Sequence, residues 1–437
     1  MRDRALAVLL ACAALVSCAV KPQQSAHDAP SIAAMDATPS STATAAIIPR
    51  HDLDMTAANA VMAVTPPSAK PAIPMAQIKQ AVEDAFKQGI RWALANQRRD
   101  GNWGSFESIR EREIYLDTAA SHRAFQSATT AIVAWSMIEP ARTDDRCRVA
   151  LESALKQLSQ QGAPGRASGK TFYSVWSHNF LIQLAAEVQS DSSLAQHHAD
   201  WKKIAEREIA IVRREQGAEG GWGYYDFEFI GLQPSGNEST SFNTASMVIS
   251  MLAAQKQGAI IPPGTFQDAT KAILRMQLPS GAFAYGTYAQ LNPRADYNKV
   301  SGSSGRLQPC NVALYMVNAG NVTQATLLRG VQHLRDTHQY IEIARGRVMP
   351  HESFYRNSGY YYYYDHYYAA LALAHAAASP ERSELVRWLA EDMVHDQNPD
   401  GSWFDYPLYG YGKAYATGFG LLTLEVLRPL IDQIDAK

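Results

Sequence analysis

From residue 76 onward, apolar positions recur at helical spacing. Ile78, Val82, Ala85, Phe86, Gly89 and Ala93 share one face of a predicted helix, and Glu, Lys and Arg fill the other. Comparable amphipathic segments run over 146–160, 199–215, 266–277, 323–337 and 381–396. Between them lie stretches without a charged face, over 128–138, 173–188, 243–254, 312–319, 363–376 and 415–427. A helix that is apolar all round is buried nearly all round, so half-exposed and buried helices alternate along the chain.

A string repeats at the end of each amphipathic segment. Gln-x-x-x-Gly-x-aromatic occurs as Gln97/Gly101/Trp103, Gln216/Gly220/Trp222, Gln277/Gly281/Phe283 and Gln397/Gly401/Trp403. A unit of about sixty residues predicts two more registers. Gln161 with Gly165, lacking the aromatic, and Gln339, lacking the glycine, stand there. Six helical hairpins with buried inner and amphipathic outer helices predict an all-α (α/α)6 toroid. An open solenoid would need polar capping repeats, and neither end repeat is more polar than the middle ones.

The first 75 residues follow another pattern. Arg2 and Arg4 precede an apolar run from Ala5 to Val16, too short to span a bilayer and typical of a secretory signal. The run ends in Leu15-Val16-Ser17-Cys18, which resembles a bacterial lipobox. That resemblance implies lipidation at Cys18, and Ala19 after it points to the outer membrane. Residues 18–75 are rich in Ala, Ser, Thr and Pro without amphipathic period, as expected of a disordered tether. The expected organisation is a signal peptide over 1–17, a tether over 18–75 and one toroid over 76–437, on the periplasmic face of the outer membrane.

Composition narrows the function. Lys plus Arg is 40 and Asp plus Glu is 42, a balance that argues against a nucleic-acid partner. Only Cys147 and Cys310 follow Cys18, so at most one disulfide could form outside the leader. The 21 Tyr exceed the 13 Phe, which suits half-wet surfaces such as a cavity wall.

The repeat resembles the QW motif of the terpenoid cyclase and protein prenyltransferase superfamily, the prenyltransferase/squalene oxidase repeats. Gly89, Trp92, Gln97, Gly101 and Trp103 stand in the family's order, and Gln397 to Trp403 followed by Gly412 to Thr417 looks like its last repeat. The resemblance implies the toroid and a structural role for the motif residues. Its chemistry carries over poorly. No D-x-D-D acid stands at an inner helix: Asp52-Leu53-Asp54 lies in the tether, and Thr143-Asp144-Asp145 precedes an outer helix. The family's zinc set, Asp-x-Cys and a later His, is matched only by Cys310 and His366, with Gln308 where the Asp belongs. No cofactor is expected, and zinc at Cys310 and His366 is the weaker option.

What remains is a tyrosine-rich rim. Phe354, Tyr355 and Tyr360 to Tyr364 precede His366, Tyr367 and Tyr368. Phe172, Tyr173, Trp176, His178 and Asn179 open another inner helix, and Arg306 a third. His366 is the expected acid/base, Asp365 its orienting partner and Tyr364 a donor. His178, Asn179, Tyr173, Trp176, Arg306 and Tyr367 are expected to hold the ligand. The leading expectation is binding or transformation of an apolar or amphiphilic, isoprenoid- or lipid-like ligand in an aromatic central cavity. A glycan-active lyase would use the His, Tyr, Asn and Arg groups, and a hydrolase two carboxylates among Asp226, Asp365 and Asp405. A non-catalytic protein-binding scaffold is the third reading.

Overall fold

A computed structural model describes residues 70–107, 119–162, 173–224, 239–288, 292–346, 358–406 and 409–435. The signal peptide, Cys18, most of the tether, Asp226, Glu228, Phe172, Phe354 and Tyr355 lie outside these residues. The outer helices are α1 (Met75–Ala95), α3 (Asp145–Gln160), α5 (His198–Glu215), α7 (Thr265–Arg275), α9 (Gln324–Asp336) and α12 (Pro380–His395). The inner helices are α2 (Ala119–Ser136), α4 (Ser174–Ser190), α6 (Ser241–Lys256), α8 (Leu307–Met316), α11 (Tyr362–His375) and α13 (Gly412–Asp435). Each inner helix packs on the next, and α13 packs back on α2. The ring is closed: an (α/α)6 toroid.

Amphipathicity assigns the layers. In α1 the buried face is Ile78, Val82, Ala85, Phe86, Gly89, Ile90, Trp92 and Ala93. In α4 nearly every residue from Ser174 to Val188 is buried, polar ones included. Small residues allow the close approach: a Cβ on Gly418 of α13 would fall 2.7 Å from Ile132 of α2.

The repeated string is the corner of each hairpin. Gln97 Nε2 donates to Gly101 O at 3.1 Å and to Ala150 O of the next outer helix at 2.8 Å. Gln216 does the same to Gly220 O and Thr265 O, and Gln397 to Gly401 O and Ala85 O. The indole Nε1 of Trp103, Trp222 and Trp403 caps Ala93 O, Val212 O and Met393 O respectively. Their backbone N–H groups donate to Thr130, Thr244 and Thr417 on the following inner helices. The glycines take φ of +86°, +98°, +86° and +89° at 101, 220, 281 and 401, which a side chain would strain.

Two corners differ. Gln161 accepts from Ser127 Oγ at 2.7 Å, and its Gly165 lies outside the described residues. At Gln339 no glycine is present to turn the chain. There the backbone continues into an additional helix, α10 (His338–Ala344). Cys147 and Cys310 are buried free thiols.

Candidate functional site

At one end of the inner ring lies a cavity of about 180 Å³. Thirteen of its sixteen lining residues are aromatic, and none carries a charge. Helix α2 supplies Phe125, Ala128, Thr129 and Ile132; α4 and the residue before it supply Tyr173, Trp176 and Phe180. Tyr364 comes from the first turn of α11 and Tyr360 and Tyr361 from just before it; Tyr415 and Phe419 come from α13 and Tyr411 from the residue before it. Tyr224, Tyr285 and Tyr406 come from the corners.

The rings brace one another. Trp176 lies 5.9 Å from Phe180 in a stacked arrangement and meets Tyr364 edge-on at the same distance. Tyr224 and Tyr285 share a hydroxyl contact of 2.8 Å, and Tyr364 donates to Phe242 O at 3.0 Å. Burial holds the phenols of Tyr224, Tyr285, Tyr364 and Tyr415 well above their ordinary range. They are neutral donors on an otherwise apolar wall.

One acid stands directly behind that wall. Tyr415 donates to Asp405 Oδ2 at 2.8 Å, and Asp405 Oδ1 is buried without a hydrogen-bond partner. Burial raises the Asp405 carboxyl to about 7, against the pull of the Tyr415 hydroxyl and nearby backbone N–H groups.

The residues nominated from sequence divide by helical phase. Tyr173, Trp176 and Tyr364 line the cavity. His178 and His366 do not, because each sits two residues beyond a cavity ring, about 200° further round its helix. His178 Nδ1 is bonded to Glu208 of α5, and its Nε2 lies 3.9 Å from Glu215. Burial opposes charge on His178 most strongly, but the Glu208 bond and the charges of Glu215 and Glu208 together outweigh it and raise the imidazole's pKa. Asn179 donates to Ser246 of α6 at 2.9 Å. Arg306 spends its guanidinium on Gly302 O, Phe283 O and Tyr297 O and lies over Tyr285 from behind. Tyr367 packs on Trp135 and Phe419 outside the lining. Asp365 is buried, its two oxygens without hydrogen-bond partners, and burial pushes it to about 8.

His366, expected as the acid/base, therefore does not line the cavity, and Asp365, expected to orient it, makes no hydrogen bond to it. His366 faces outward, with Nδ1 2.6 Å from Tyr362 O and Nε2 3.1 Å from Asp392 of α12. Cys310, a buried free thiol, is not among the groups gathered at His366, and burial raises it far above its ordinary value. The pair Asp144-Asp145 is a helix start: the Asp144 carboxylate caps α3 through Arg146 N at 2.8 Å.

Several lining residues escaped the sequence reading, yet one signal marks two of them. Tyr224 and Tyr285, like Asp405 behind the wall, follow the motif aromatic, Trp222, Phe283 or Trp403, by two residues. The corner that pins the hairpin thus also delivers a side chain to the rim.

Comparison with known proteins bears on the fold and the family. Cellobiose 2-epimerase from Spirochaeta thermophila superposes with a TM-score of 0.52 at 14% identity, over 82% of this chain and 98% of that one. A single-residue variant of a type II terpene cyclase from Scytonema superposes at 0.50 and 12% identity, over 82% and 100%. At such identities the likeness shows the toroid alone. No curated protein matches the chain in sequence. Residues 52–290, more than half of the chain, match the squalene-hopene cyclase C-terminal domain, and the protein is a member of that family.

Proposed function

We propose that the protein binds an apolar or amphiphilic, isoprenoid-like ligand in the aromatic cavity. One observation carries this reading: thirteen aromatic rings enclose the space and no charged side chain lines it. Such a wall favours hydrocarbon, and its neutral phenols can orient a single polar group. Aromatic faces also favour positive charge developing on a bound chain. The volume, near 180 Å³, is close to the roughly 150 Å³ that holds one benzene and below the roughly 300 Å³ of drug-sized sites. It suits one end of an isoprenoid, with the remainder towards the mouth. Any proton-transfer chemistry there would draw on Asp405 through the Tyr415 hydroxyl, since His366 faces elsewhere.

The test is a titration of the full chain with farnesol and geranylgeraniol, followed by intrinsic fluorescence, beside cellobiose and mannotriose. Saturable binding of the alcohols, weakened by at least about tenfold (roughly 1.4 kcal/mol) in Trp176→Ala, is expected. Binding of a sugar instead, lost in the same variant, would replace this reading with the glycan one. Family membership, and the lipid-like cavity wall, favour the isoprenoid.

We further propose that a lipid on Cys18 anchors the protein at the periplasmic face of the outer membrane. The lipobox-like Leu15-Val16-Ser17-Cys18 supports this; among the described residues no helix is long and apolar enough to cross a membrane. Mass spectrometry of the mature N-terminus checks it, and an unmodified Cys18 refutes it.

A further inference from the structure

Away from the aromatic cavity, three side chains from three helices meet: His338 of α10, His366 of α11 and Asp392 of α12. Their ligand atoms all lie within 4.8 Å of one another. His338 Nε2 is 3.2 Å from His366 Nε2, His366 Nε2 is 3.1 Å from Asp392 Oδ2, and His338 Nε2 is 3.4 Å from the same oxygen. Around a tetrahedral ion with bonds of about 2.0–2.1 Å, neighbouring ligand atoms stand roughly 3.3–3.4 Å apart. The observed triangle has nearly those edges.

The surrounding bonds prepare each atom for a cation. His366 Nδ1 lies 2.6 Å from Tyr362 O and so carries a proton, which leaves Nε2 as the nitrogen that can meet a cation. Asp392 is oriented at both oxygens: Oδ1 receives Lys70 Nζ at 2.8 Å, and Oδ2 receives the Tyr362 hydroxyl at 2.9 Å. His366 and Asp392 are buried and His338 is partly exposed, its ring 5.4 Å from that of Trp388 and edge-on to it. Protons on the two Nε2 atoms would serve the two edges to Asp392 Oδ2 and leave the 3.2 Å edge between the imidazoles unbonded. A divalent ion is shared by all three atoms.

The position in the fold gives the site a purpose. At three corners a Gln ties the turn to the next outer helix: Gln97 to Ala150 O, Gln216 to Thr265 O and Gln397 to Ala85 O. The fifth corner has lost that turn to α10, and there His338 reaches α12 in its place. We infer that His338, His366 and Asp392 form a site for a divalent transition metal, zinc by its geometry, that pins the fifth corner of the ring with water completing the coordination. This is independent of the cavity reading.

Cobalt alone tests it. The full chain, stripped with a chelator, is titrated with Co²⁺ and followed by its visible absorption and by elemental analysis after desalting. One ion per chain, displaced by Zn²⁺ and accompanied by a rise in melting temperature, is expected. His338→Gln, with the circular dichroism of the wild type, should lose both the absorption and the thermal shift, while His395→Gln on the surface should keep them. Folded wild type that takes up no Co²⁺, or undiminished uptake by His338→Gln, overturns the site and leaves an imidazolium–carboxylate pair in its stead.

Discussion

Gln397 of the last repeat donates to the carbonyl of Ala85 in the first helix at 2.7 Å. The same nitrogen reaches Gly401 O at 2.9 Å, so one amide both shapes a turn and closes the ring. Gln397→Ala should destabilise the fold by about 1–3 kcal/mol, because two carbonyls lose their donor in a half-buried place. Urea unfolding measures this. A change below about 0.5 kcal/mol, within the range of ordinary surface substitutions, would mean closure rests on packing alone.

Gly401 turns the same corner with φ of +89°, and a Cβ there would lie 2.5 Å from Gln88 O. Gly401→Ala should therefore lower stability by roughly 1–2 kcal/mol or more. Gly162→Ala is the control, since nothing lies within 4 Å of its Cβ position. Equal melting temperatures for the two variants would contradict the strain argument.

Asp405 gives the fold a pH dependence of known sign. Its folded value, about 7, lies above the ordinary 3.8, so the folded state holds its proton more tightly than the unfolded chain. That stabilising contribution is complete below pH 4 and is lost as pH rises towards 7. Asp405→Asn keeps an acceptor for Tyr415 but removes the titration. Relative to wild type it should gain stability between pH 5 and pH 8, by an amount on the order of 1–3 kcal/mol. Urea midpoints that differ equally at both pH values would show that Asp405 is not the group responsible.

His178 and Glu208 form a buried pair pointing away from the cavity. His178→Ala strands a carboxylate that is also bonded by Arg207, and a cost of roughly 3–5 kcal/mol is expected. Binding of farnesol by the folded fraction should be unchanged. A selective loss of binding at intact stability would place His178 in the ligand site after all.

Much of this architecture is local and therefore legible. The amphipathic face of α1, from Ile78 to Ala93, and the Gln-x-x-x-Gly corners each depend on residues a few positions apart, so period and spacing suffice to number the hairpins and assign the layers. The weakened fifth string was also a local signal, because a corner without glycine cannot take the positive φ of Gly101, Gly220, Gly281 and Gly401.

The direction of the inner-helix side chains was another matter. An inner helix is buried on every side, as α4 and α11 are, so its hydrophobic pattern has no phase to show which face meets the cavity. His178 and His366 read as rim residues because they sit near Trp176 and Tyr364 in sequence; packing turned them outward to Glu208 and Asp392. The His338–His366–Asp392 triangle could not be read at all, since its members stand 28 and 26 residues apart on three helices. Sequence alone determined the repeating helical ring, because turns and amphipathic faces are built from neighbours. Only the tertiary structure decided which polar groups converge, because that depends on the rotation of buried helices against one another.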